Sequence, residues 1–84
     1  MRNHRTLARL INRTSLSTIK LIASNYKTNE DLKRWVSDCF RFLNVEDNGN
    51  CWREQFFDLQ LSQNDNKAAM SRILNAAILR WEEI

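Results

Sequence analysis

The chain has 84 residues, 43% hydrophobic and 27% charged, with three Trp, four Phe, one Gly, no Pro and a net charge of +3. A chain this short makes one domain that buries only about 60 to 65% of its unfolded surface, and its apolar content is too high for a disordered segment. The near absence of Gly and Pro excludes a turn-rich β fold and predicts an all-α domain over residues 1–84, a compact bundle of about five short helices.

Composition removes several functional classes. No apolar run reaches the roughly 20 residues that a membrane span needs, and the basic start is not followed by an unbroken signal-peptide core, so a soluble cytoplasmic protein without a membrane partner is expected. Cys39 and Cys51 make no disulfide framework, and the lone histidine, His4, gives no metal-ligand spacing, so two free thiols and no metal or cofactor are expected. His4 has nothing to orient it, there is no glycine-rich phosphate loop, and no paired acids stand out, which predicts a non-enzymatic protein. The charge is unevenly spread. Residues 1–27 hold Arg2, Arg5, Arg9, Arg13, Lys20 and Lys27 without an acid, a net +6, whereas 28–84 hold seven bases and ten acids, a net −3. Such asymmetry points to an anionic partner for the basic part, or to packing of one part on the other.

Residues 3–12 read as a first helix with Leu7, Leu10 and Ile11 on one side and Arg2, Arg5, Arg9 and Arg13 lined up on the other. The polar, β-branched cluster Asn12-Arg13-Thr14-Ser15 predicts a break, with a continuous helix from about 5 to 25 as the alternative because no Gly or Pro is present. A second helix from Ser15 or Leu16 to Asn25 then turns Leu16, Ile19, Ile22, Ala23 and Tyr26 inward and leaves Leu21 outside. This pair has some ingredients of a helix-turn-helix, but the usual glycine of the turn is missing.

The third helix, within Thr28 to Asn44, is the most strongly amphipathic: Leu32, Trp35, Val36, Cys39, Phe40 and Leu43 fall within about 140° of arc at 100° per residue. Thr28 followed by Asp31 is a capping-box pattern, and this helix is expected to be the one against which the others pack. Asn48-Gly49 lies in a turn between helical patterns. The fourth helix, Cys51 to Leu61 with Asn50 as its N-cap, carries Trp52, Phe56 and Leu59 on one face and Phe57 and Leu61 on nearly the opposite one. Phe57 and Leu61 therefore need either an internal second layer, which the small size of the domain favours, or an interface with a partner. After the loop 62–66 a long helix runs to Ile84, with Met70, Ile73, Leu74, Ala77, Ile78, Trp81 and Ile84 inward. Glu82 and Glu83 oppose its dipole as Arg2 and Arg5 oppose that of the first helix, so pairing of these two ends is expected.

Two partner classes follow. In the first reading the chain is an adaptor, inhibitor or small subunit that binds another protein, or a copy of itself, through the basic face and through Phe57 and Leu61. The alternative is a small helical subunit of a nucleoprotein assembly that grips DNA or RNA phosphates with the same bases. Aromatic residues that could stack on single-stranded bases are missing from residues 1–25.

Overall fold

The computed structural model describes residues 4–84, and over them the chain forms five α-helices and no strand. These are α1 (His4–Arg13), α2 (Leu16–Ala23), α3 (Asn29–Phe42), α4 (Trp52–Gln60) and α5 (Asp65–Glu83). The polar cluster after α1 does break the chain. The Thr14 hydroxyl donates to the Leu10 carbonyl at 2.7 Å, and Ser15 N-caps α2 by accepting from the Thr18 amide at 3.2 Å. Side chains that bond nearby backbone groups offer the chain an alternative to continued helix.

α3 starts and stops where its sequence dictates. The Thr28 hydroxyl accepts from the Asp31 amide at 3.1 Å, and Glu30 and Asp31 sit in the first turn, where the helix dipole favours negative charge. At its end Asn44 adopts φ 57°. The Asn44 amide then donates to Arg41 O at 3.1 Å and the Val45 amide to Phe40 O at 2.9 Å. This is a complete Schellman stop, with the left-handed residue supplied by Asn and the buried Val45 closing over the helix end.

The organising helix is α5 rather than α3, because each of the other four helices makes its main contacts with α5. Its 19 residues span about 28 Å, close to the longest dimension of the molecule, 32 Å. Ala69, Met70, Ser71, Ile73, Leu74, Ala76 and Ala77 are all buried, which is wider than one stripe. The expected inward positions Trp81 and Ile84 are exposed, since the last turns run out to the edge of the molecule. Trp81 packs edge-on against Trp52, with ring centroids 5.5 Å apart.

Polar side chains of α5 also hold the junctions between the other helices. Arg72 donates to the Thr14 carbonyl between α1 and α2, Arg80 Nε to Tyr26 O at 3.0 Å between α2 and α3, and Asn66 Nδ2 to Leu43 O at 2.7 Å at the end of α3. In return Asn12 Nδ2 donates to the Asp65 carbonyl at 3.1 Å. Helix ends leave carbonyls without intrahelical partners, and here α5 supplies the missing donors.

Within α3, Leu32, Val36, Phe40 and Leu43 are buried while Trp35 and Cys39 are half-buried; Trp35 stacks on Tyr26 with centroids 5.1 Å apart. On α1 the inward residue is Ala8, flanked by Leu7 and Ile11, and Leu10 is exposed rather than inward. On α2, Ile22 is likewise exposed. Ile22 lies at the edge of the apolar arc of α2, and burial centres on Ile19 and Ala23.

Candidate interaction surface

α4 is joined to the domain by one side only. Trp52, Phe56 and Leu59 pack against the core, and Gln55 is buried beside them. The Gln55 amide nitrogen donates to Asp47 Oδ1 at 3.0 Å and to Asn50 O at 2.9 Å, which ties the connection from α3 to the first turn of α4. Asn50 therefore does not N-cap the helix through its side chain. Cys51 occupies the N-cap position without a side-chain bond to the backbone.

Phe57 and Leu61 do not enter an internal layer: they are 63% and 81% exposed, so the expectation favoured by the small size of the domain is corrected. The reason is geometric. α4 has a single principal neighbour, α5, and a short helix on the outside of a bundle has no second layer above it. The outer arc of α4 runs Arg53, Phe57, Leu61, Glu54, Asp58, with the two apolar residues in the middle and the two acids along one edge. Arg53 is neutralised by Glu82, at 2.6 Å, whereas Glu54 and Asp58 have no ion pair among the described residues.

The described bases of the N-terminal part divide in three. Arg2 lies outside the described residues. Arg5, Arg9 and Arg13 are exposed on one arc of α1 and make no ion pair among the described residues, with Leu10, 55% exposed, bordering them. Lys20 is exposed on α2, where it lines a groove of about 600 Å³ with Leu21, Leu79 and Arg80, to which α1 contributes nothing. Lys27 is turned back onto its own chain, its Nζ donating to Ser24 O at 2.9 Å.

The expected pairing of the two chain ends does not occur between Arg5 and the C-terminal acids. Glu82 pairs with Arg53 of α4, and Glu83 with Arg80 one turn back, at 3.3 Å. An ion pair that joins α4 to α5 satisfies the unfavourably placed Glu82 locally, so the arginines of α1 keep their charge available.

The remaining chemistry is sparse. Burial and then the nearby Asp38 carboxylate push the Cys39 thiol up to about 12, so at neutral pH it is a protonated, packed sulfur rather than a nucleophile. Cys51 is exposed in a groove of about 550 Å³ between α3, the start of α4 and the end of α5. The carboxylates lining that groove are engaged: Asp47 accepts from Gln55 and from the Gly49 amide, and Glu82 from Arg53.

The sequence singles out Arg5, Arg9, Arg13, Phe57 and Leu61 as candidates, and the structure places Leu10, Glu54 and Asp58 beside them on the two outer faces. The signal was present. Glu54 and Asp58 are four apart and flank Phe57 and Leu61 on a helical wheel, just as Leu10 flanks Arg13. In comparisons with known proteins, no protein-family model, no curated protein and no solved structure matches the chain.

Proposed function

We propose that this chain is a small non-enzymatic protein-binding module, a subunit or adaptor that docks through the outer face of α4 while the α1 arginines steer the encounter. The observation that carries this reading is the exposure of Phe57 and Leu61 on a helix whose opposite face supplies the apolar packing that holds it to the domain. Phe57 touches the domain through the Phe56 ring, with centroids 6.2 Å apart, so folding asks little of these two side chains, and fully burying each against a partner would contribute up to about 1.5 to 3 kcal/mol. Adjacent exposed apolar residues rimmed by charge are the usual composition of an anchor.

The test pairs stability with association. Phe57→Ser with Leu61→Ser should leave thermal melting unchanged and abolish co-purification of a protein partner from the native cell after nuclease treatment. A variant that melts early, or one that retains the partner, overturns the reading.

The unpaired Arg5, Arg9 and Arg13 are the one observation in favour of the nucleic-acid alternative. Contacts to three phosphates would give a slope of log affinity on log salt of about −2.7. Companions that disappear with nuclease, together with such a slope, would replace the protein-binding reading by this one.

A further inference from the structure

The outer faces of α1 and α4 are complementary to each other in charge, in spacing and in hand. On α1 the exposed arc carries Arg5, Arg9 and Arg13 as a row in steps of four residues, with Leu10 beyond Arg13 along one side of it. On α4 the exposed arc carries Glu54 and Asp58 as a row of the same spacing, with Phe57 and Leu61 along one side. Residues four apart on a helix are separated by about 6 Å along the axis, so Arg5 and Arg9 match Glu54 and Asp58 in length and Arg13 continues the basic row one step further.

Hand decides how they can meet. Seen from outside with the chain running upward, successive residues of a right-handed helix advance to the right, which places the arginine row of α1 to the left of Leu10. The same view of α4 places Phe57 and Leu61 to the left of the acidic row. When two faces are brought together, left meets right, so a parallel alignment that sets Arg5 and Arg9 over the acids brings Arg13 and Leu10 to the side of the apolar pair, whereas an antiparallel alignment with the same charge pairing turns Leu10 away from it. With Arg5 opposite Glu54 and Arg9 opposite Asp58, Leu10 lies about 7.5 Å along its helix from Arg5, between Phe57 at about 4.5 Å and Leu61 at about 10.5 Å from Glu54.

We infer that the protein associates with a second copy of itself, the outer face of α1 on one copy lying parallel to the outer face of α4 on the other. This rests on the docking reading given above and names its partner. Both faces are exposed on the same molecule, so neither satisfies the other within one chain. The contact joins two different surfaces, so copies add head to tail unless a pair closes about a twofold axis. One helix face on each side places the association in the weak class, below roughly 1,200 Å² of total buried area, with on-rate and affinity that fall as salt rises.

Sedimentation of the intact protein between about 10 µM and about 1 mM, a range suited to weak contacts, should show mass increasing with concentration. The variants Arg5→Glu/Arg9→Glu and Glu54→Arg/Asp58→Arg should each sediment as monomers, because each sets like charge against like. Mixing them should restore association, since the intact α4 of the first meets the intact α1 of the second. Restoration on mixing also shows that both variants are folded. Wild type that stays monomeric throughout, a single variant that associates as wild type does, or a mixture that stays monomeric overturns the inference. Monomeric wild type that still loses a different protein partner with Phe57→Ser/Leu61→Ser would overturn this inference and leave the docking reading standing.

Discussion

α3 and α5 look alike as sequence and behave differently as structure. α3 has the sharper division between an apolar and a charged face: Leu32, Val36, Phe40 and Leu43 are buried and Lys33, Arg34, Ser37 and Arg41 exposed. α5 mixes small and polar residues into its buried arc, Ala69, Ser71 and Ala76 among them, and yet it is the helix on which the other four rest. Strong amphipathicity marks an element with one side in the core and one in water, which is a peripheral position. A helix surrounded by neighbours loses that contrast, because its second face is covered too. Ala69, Ala76 and Ala77 are small enough for neighbouring backbones to approach closely, and of the three only Ala77 falls on the apolar stripe that the sequence shows.

The largest effect that would break this comparison is in the core. Leu74 of α5 and Leu32 of α3 are both fully buried, so their truncation removes the same atoms from equally dry surroundings. Leu74 lies on the helix against which the other four pack and which they hold in place, whereas α3 can settle toward α5. Leu74→Ala should therefore cost about 5 kcal/mol and Leu32→Ala about 3 kcal/mol, the two ends of the range set by how far a site collapses. For a domain expected to have no more than about 5 to 10 kcal/mol of stability, the first variant should be largely unfolded and the second folded but weakened. Urea titration of both measures the difference, and equal losses would remove α5 from its central role.

The order of the helices, the break at Thr14-Ser15 and the stripe of α3 are all legible in the sequence because each depends on residues within one or two turns of one another. The central role of α5 is not, because it depends on donors and acceptors far apart: Arg80 and Tyr26, Arg72 and Thr14, Asn66 and Leu43 are separated by 54, 58 and 23 positions. The surface divides in the same way. Two apolar faces on α4 can be read from the periodicity of Trp52, Phe56, Phe57 and Leu61, but whether Phe57 and Leu61 are covered is decided by whether a further layer exists above them. Likewise the neutralisation of Glu82 by Arg53, 29 residues away, leaves no local trace.

An intermediate effect is expected at the tethers. Arg80→Met removes the donor to the Tyr26 carbonyl at the junction of α2 and α3, and a partly buried carbonyl left without a donor costs about 1 to 3 kcal/mol. Its surface pair with Glu83 adds little. Arg72→Met should cost less than Arg80→Met although it removes the donor to Thr14, because Arg72 Nε is buried without a partner and the substitution also removes that unsatisfied group. Thermal melting of the two variants ranks them. Arg72→Met as the more damaging change would mean that the Thr14 carbonyl matters more than the orphaned nitrogen opposes it.

The smallest effect sharpens the comparison at the helix starts. Thr28 caps α3 and Asn64 caps α5 with bonds of the same kind, the Thr28 hydroxyl to the Asp31 amide at 3.1 Å and Asn64 Oδ1 to the Lys67 amide at 3.0 Å. An alanine at either N-cap costs about 0.5 to 2 kcal/mol, typically about 1, when the cap acts alone. Thr28→Ala releases only the first turn of α3, whose residues Asn29, Glu30 and Asp31 are exposed, so its loss should fall near the lower end of that range. Asn64→Ala frays a turn that also carries two connections to other helices, Asn66 to the Leu43 carbonyl and Asn12 to the Asp65 carbonyl. Fraying there loosens the end of α1 and the end of α3 together, so its loss should lie near the upper end. Amide exchange locates the damage: Thr28→Ala should speed exchange within the first turn of α3 alone, and Asn64→Ala should also release the Asn44 and Val45 amides of the α3 stop. If the two variants lose equal stability and exchange only locally, α5 is one helix among five and not the one that holds the ends of the others.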